Sequence, residues 1–175
     1  MEIFDIVDPQ DRVIGQATRC EAHTSQLLHR AVHILIFNQT GALIVQKRAM
    51  TKDSFPGCYD SSASGHLNAG ESYDAAACRE VQEELGLVLP ATTLQKQFKL
   101  DACPDTGWEF VWIYTVLHNT QRVVPNPDEV ESITHMTRRQ IESLLADQPD
   151  SCARSFRRVL REVFARELFP SESAE

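Results

Sequence analysis

The sequence is poor in several things, and each shortage excludes something. Its 175 residues contain no apolar run of about 18, the length a helix needs to cross a bilayer. The opening Met1-Glu2-Ile3-Phe4-Asp5 has neither the basic nor the apolar segment of a secretory signal. Five cysteines (Cys20, Cys58, Cys78, Cys103, Cys152) are odd in number, scattered and without a C-x-x-C pair. That usage predicts reduced thiols in a cytoplasmic protein rather than a disulfide or zinc framework. Seven glycines and eight prolines are too few for a collagenous or low-complexity chain, and 42% hydrophobic residues are too many for wholesale disorder. Positive charge is scarce as well: 17 Lys and Arg against 25 Asp and Glu, for a net charge of -8. The mean field therefore repels phosphate, which argues against a nucleic-acid polymer or an anionic membrane as partner. A small phosphorylated compound is still admissible, provided something other than net charge brings it in.

The length suits one domain over residues 1–170, with the small acidic stretch 171–175 expected to be disordered. Alternating or continuous apolar runs predict strands at 3–7, 12–18, 29–37, 42–47, 94–100, 109–118 and 130–136. Asn38-Gln39-Thr40-Gly41 reads as a hairpin turn, and the Ser-, Gly- and Asp-rich stretch 48–70 as irregular for much of its length. Ser72 is placed to cap a helix over 73–85 that Gly86 stops. Thr137 can cap another to Ala146, and 153–168 carries Phe156, Val159, Leu160, Val163, Phe164 and Leu168 on one helical stripe. A mixed α/β (α+β) domain follows, its sheet covered by two or three helices.

On the helix 73–85, Glu80, Glu83 and Glu84 stand at i, i+3 and i+4 and share a face, while Ala77, Val81 and Leu85 take the opposite one. Three neighbouring carboxylates repel one another unless a cation lies between them, and a hard divalent ion such as Mg2+ prefers oxygen donors. The surrounding residues decide. Gly65, Glu71, Arg79-Glu80-Val81, Glu83-Glu84, Gly86 and Leu87 fill every position of G-x5-E-x7-R-E-U-x-E-E-x-G-U, where U is apolar. At average residue frequencies a chance match in such a chain is on the order of one in ten million.

This pattern is the signature of the Nudix hydrolases. Leu28-His29-Arg30-Ala31-Val32, Gln46-Lys47-Arg48 and 51–57 further resemble the subgroup that includes the metal-dependent isopentenyl-diphosphate isomerases, and the similarity spans roughly residues 3 to 136. The resemblance implies an α/β/α sandwich around a mixed sheet, and hydrolysis of a nucleoside diphosphate linked to another group by attack of water on phosphorus. It implies Mg2+, or Mn2+ in its place, held by Glu80, Glu83 and Glu84 with the Gly65 carbonyl. Arg79 would pair with Glu71 and orient the carboxylates. Glu83 is the first choice for general base, with Glu109 and Glu129 in reserve. His29, Arg30, Arg48, Lys52 and His66 are candidates for contact with the substrate, and so is Lys47. Phe55, Tyr59, Trp108, Phe110 and Trp112 are the aromatics near the expected cleft, of which Phe55 and Phe110 read better as core.

Against the isomerases the chain departs in two places. Ser64 stands where their catalytic cysteine precedes Gly-His, and Gly107 where one carboxylate ligand is expected. Glu109 matches their glutamate, and His29 and His66 match two ligand histidines, but His23 falls one residue out of register. With that set incomplete, His29 and His66 read as hydrogen-bonding pocket residues. His33, His118 and His135 have no spacing that points to a site. The expectation is thus a Mg2+-dependent diphosphate hydrolase, monomeric or homodimeric. The alternatives are an isomerase-like enzyme or a non-catalytic protein that binds a diphosphate compound.

Overall fold

A computed structural model describes residues 2–170, with the side chain of His118 excepted; the acidic stretch 171–175 lies outside the described residues. Nine strands and four helices follow in the order β1 (Ile3–Val7), β2 (Val13–Thr18), α1 (Arg19–Thr24), β3 (His29–Asn38), β4 (Leu43–Arg48), β5 (Tyr59–Asp60), β6 (Ala63–His66), α2 (Tyr73–Leu85), β7 (Gln95–Leu100), β8 (Glu109–Asn119), β9 (Val130–Met136), α3 (Arg138–Asp147) and α4 (Arg154–Ala165). Each strand and helix read from the sequence is present, with its ends within three residues of those expected. The stretch 48–70 is irregular for much of its length, as expected, with the short β5 and β6 inside it. Helix α1 was not anticipated.

β1 and β2 form a separate antiparallel hairpin. The other seven strands make a mixed sheet with the path β5-β4-β3-β8-β7, in which β6 also pairs with β3 and β9 with β4. β3 and β8 run parallel from His29↔Glu109 onward. β3 and β4 are paired only at Phe37↔Leu43. Beyond that point they part, β3 taking β6 as its partner and β4 taking β9 and β5. This split is where the site forms.

The period-two alternation of β3 explains the layers. Ala31, Leu35 and Phe37 face one way, with Val111 and Ile113 of β8, and pack on Ile141 of α3 and Phe156, Val159, Leu160 and Val163 of α4. Val32, Ile34 and Ile36 face the other way, with Tyr114 and Val116, and pack on Ala76, Ala77, Val81 and Leu85 of α2. Each fully buried large side chain contributes about 1.5–3 kcal/mol by leaving water, so both faces must be covered, and an α/β/α sandwich results.

Helix α2 begins where the Ser72 hydroxyl accepts from Ala75 N at 3.2 Å. It ends where Gly86 takes the left-handed conformation, φ 65°, and donates to Gln82 O at 3.0 Å. Val124 N and Asn126 N then donate to the carbonyls of Leu85 and Glu84, both at 2.9 Å, tying the loop before β9 to the end of this helix. No described helix is long and apolar enough to cross a membrane.

Candidate active site

A cleft of about 590 Å3 opens at the split between β3 and β4. Its walls include His33 of β3, Arg48 of β4, Asp60 of β5, Ser64, Gly65 and His66 of β6, Glu80, Glu83 and Glu84 of α2, and Asn126 and Glu129 of the loop before β9. The acidic face of α2 therefore points into the cleft while its apolar face anchors it to the sheet.

The three carboxylates differ in setting. Glu84 is buried and accepts from Gln46 Nε2 at 2.9 Å and Ser64 N at 3.0 Å. Burial, reinforced by the charge of Glu80, pushes its carboxyl up to about 8. Glu80 is also buried, and burial raises it to about 7 against the pull of Arg79. Glu83 is half-exposed at the cleft edge, and its carboxylate accepts from Arg79 Nη1 at 3.0 Å. Gly65 leaves room for this arrangement, because a Cβ there would collide with the Glu80 carboxylate.

Arg79 binds Glu71 through two parallel hydrogen bonds, Nε to Oε1 and Nη2 to Oε2, each 2.9 Å. It also donates to Glu80 at 2.6 Å and to the His66 carbonyl at 2.8 Å. One guanidinium thus ties α2 to β6 and holds three of the motif's carboxylates. Arg79 is shared among Glu71, Glu80 and Glu83 and forms no ion pair with Glu84, so ionising the buried Glu80 and Glu84 together leaves more negative than positive charge at this spot. That all-oxygen donor set fits a hard divalent cation.

Beside it lies a second cluster. Ligand atoms of His23, His29, His66 and Glu109 all fall within 4.8 Å of one another. His66 Nε2 is 2.9 Å from Glu109 Oε1, and His29 Nε2 is 3.5 Å from it. His29 is fully buried, its Nδ1 2.7 Å from the Leu27 carbonyl, and its Nε2 has no hydrogen-bond partner among the described residues. Phe4 stacks on both rings, centroids 5.4 Å from His29 and 4.7 Å from His66. Burial opposes charge on Glu109, yet the His66 and His29 rings overcome it and hold its carboxyl far below the usual range. Burial and the two neighbouring rings lower His23 to about 4. The one-residue offset of His23 is absorbed by α1, whose Thr18–Glu21 capping box starts the helix and sets His23 in its last turn.

The remaining candidates divide. Arg48 lines the cleft but is held by Asp60 at 3.2 Å and the Ser54 carbonyl at 3.0 Å. Lys52 lines it and is ion-paired with Glu129, which therefore stands as a paired carboxylate. Arg30 does not line it: the guanidinium is bound to Asp11 through Oδ1 and the carbonyl, each at 2.6 Å, and stacks 5.6 Å from the Tyr73 ring. Lys47 pairs with Glu131 outside the cleft. Of the five aromatics only Phe55 is on the wall, exposed and at φ 49°, contrary to the expectation that it is core. Phe110 is buried as expected. Sequence reasoning sets His23 aside as out of register, gives His33 no site and misses Arg19 and Arg154; all four reach the cleft, from α1, β3 and the N-terminal turn of α4.

Comparison with known proteins agrees with this architecture. The model of the NUDIX domain matches residues 27–158, reaching into α4. A protein of Streptomyces coelicolor named an uncharacterized Nudix hydrolase is 38% identical over 148 residues, covering 83% of this chain and 80% of its own. Isopentenyl-diphosphate Delta-isomerase 2 of Photorhabdus laumondii is 29% identical over 160 residues, covering 91% and 90%. Among solved structures, a protein of Deinococcus radiodurans superposes with a TM-score of 0.79 at 23% identity, covering 92% of this chain and 98% of that one.

Proposed function

The chain belongs to the Nudix family, and on that premise we propose that it hydrolyses the diphosphate linkage of a nucleoside diphosphate joined to another group. The observation that carries this reading is the pair of buried carboxylates, Glu80 and Glu84, with Glu83 beside them at the cleft edge and Gly65 cleared of side chain. Glu80, Glu83, Glu84 and the Gly65 carbonyl would hold Mg2+, or Mn2+ in its place. When bound, the ion supplies neutralisation of the diphosphate and Lewis acidity toward phosphorus and water. Glu83, the exposed member of the three, accepts the proton of the attacking water as the water oxygen bonds to phosphorus. The bridging P–O bond breaks, and its electron pair leaves with the departing phosphate. Arg79 fixes the carboxylates through Glu71 and the His66 carbonyl. Arg48 and Lys52 sit where they can turn from their carboxylate partners to the substrate.

One observation favours a second reading, isomerase-like proton transfer on isopentenyl diphosphate: the His23, His29, His66 and Glu109 cluster, whose imidazole-rich donors suit a transition metal. Ser64 weighs against it, because a serine hydroxyl is a far weaker acid than a thiol. The deciding experiment incubates wild type and the Glu83→Gln, Glu84→Gln double variant with Mg2+ and a panel of nucleoside diphosphate compounds plus isopentenyl diphosphate. Release of phosphate products by wild type alone supports hydrolysis. No turnover, or equal turnover by the variant, overturns it, and isomerised isopentenyl diphosphate promotes the second reading.

A further inference from the structure

Helix α4 puts Arg154, Arg157, Arg158 and Arg161 at i, i+3, i+4 and i+7, so that four guanidiniums share one face. They line a groove of about 440 Å3 together with Leu145 and Phe164. In a chain with a net charge of -8 this is a marked concentration of positive charge, and like charges at this spacing repel. Their neutralisation within the protein is partial. Arg158 pairs with Glu162 at 2.7 Å, and Arg157 with the freely exposed Asp150 at 3.4 Å. Among the described residues Arg154 and Arg161 have no carboxylate within ion-pair reach. One carboxylate, the exposed Asp105, shares the groove with the four.

The position of the groove is more telling than its charge. Arg154 and Asp105 line both it and the cleft that holds the α2 carboxylates, so the two spaces meet at that wall. A ligand extending from the cleft past Arg154 enters a run of guanidiniums whose planar, forked donors match phosphate oxygens.

We propose that the groove binds a further phosphate of the substrate, one beyond the scissile diphosphate, so that the preferred compounds carry either a longer phosphate chain or a phosphomonoester on the group away from the cleavage point. This rests on the hydrolase reading above and narrows its substrate class. Arg154 meets the phosphate at the junction, and Arg157 and Arg161 complete its neutralisation. The same groove explains how an acidic protein attracts a polyanion: the arginines supply a local positive field beside the carboxylates that take the cation.

The test uses matched compounds that differ in phosphate: ADP-ribose against its 2′-phosphate, and diadenosine diphosphate against diadenosine tetraphosphate. Wild type is compared with Arg157→Gln, Arg161→Gln, and with Arg122→Gln, Arg139→Gln, which makes the same charge change at exposed sites elsewhere. Loss of two charged contacts is expected to raise KM for the more phosphorylated member at least about tenfold, with kcat and the other member unchanged and the control variant silent. Discrimination in either pair supports the groove. Equal effects on both members of both pairs, or an equal effect of the control variant, overturn it. Should wild type hydrolyse none of the four, the wider panel decides the hydrolase reading separately, and binding decides the groove. In that case tripolyphosphate, titrated without metal, must bind wild type at least about tenfold more tightly than the Arg157, Arg161 variant; equal or undetectable binding overturns the proposal.

Discussion

Gly65 and Glu80 are in direct apposition: the Glu80 carboxylate occupies the space where any side chain at position 65 would begin. The glycine is required here for its missing Cβ and not for its backbone, since Gly65 is absent from the left-handed residues of the chain. Gly65→Ala should therefore fold as wild type, with a melting temperature within a few degrees (~1 kcal/mol). Its methyl pushes Glu80 aside, and a displacement of about 1 Å in a catalytic constellation is worth on the order of a hundredfold in rate. Turnover and melting measured on the same preparation check this, and a fully active Gly65→Ala enzyme would refute the role given to Glu80.

Arg79 offers a sharper contrast between charge and geometry. Arg79→Lys keeps the positive charge but cannot make the two parallel bonds to Glu71 while also reaching Glu80 and the His66 carbonyl. Mg2+ affinity, read from the metal dependence of turnover and from Mn2+ binding by electron paramagnetic resonance, should fall about 10–100-fold. A Lys variant with wild-type metal affinity means that charge alone orders the carboxylates.

The His23, His29, His66 and Glu109 cluster should bind Co2+ with visible d–d absorption, because nitrogen-rich sets favour later transition metals over Mg2+. His29→Gln fills the same buried space with one ligand fewer, and His23→Ala removes the member supplied by α1. Each should weaken Co2+ at least about tenfold. The Glu83→Gln, Glu84→Gln variant should leave the absorption intact, since its substitutions lie in the other donor group. Identical spectra for wild type and His29→Gln would place the bound ion elsewhere.

Local punctuation made much of this molecule legible. Ser72 and Gly86 bracket α2, and the spacing of Glu80, Glu83 and Glu84 already places them on one face; those are properties of a single helix. The alternation along β3 likewise anticipates the two buried faces. What the sequence concealed depends on distant partners. β5 and β6 are two and four residues long, and they exist because β4 and β3 offer them edges. His23 joins His29, His66 and Glu109 only through the turn of α1. Arg30 is taken from the cleft by Asp11, nineteen residues away, which no periodicity could announce. Phe55 reads as core by its residue type, but it lies exposed, with a left-handed backbone, in the loop before β5. The Arg154 to Arg161 spacing was visible in the sequence, but its adjacency to the cleft was not.

The buried carboxylates also set how stability responds to pH and metal. Glu84 and Glu80 are raised to about 8 and about 7 from an ordinary 4.5, so the folded protein holds protons there that the unfolded chain has released. Between those values stability must fall as pH rises, because ionising each group costs more in the folded state. His23 and His33, lowered by burial, act in the opposite direction until about pH 7.5, above which unfolded-state histidines are about nine-tenths neutral. In EDTA, the melting temperature should therefore decline from about pH 7.5 to about pH 8.5 and level off once both groups are ionised. Mg2+ binds the ionised form, so its stabilisation should grow over the same range and flatten or reverse the decline. Glu84→Gln removes the group with the higher value and should shrink the slope in EDTA. A melting temperature in EDTA that stays level or climbs across this window would show that the two carboxylates are already neutralised without metal, and the case for a cation between them would go with it.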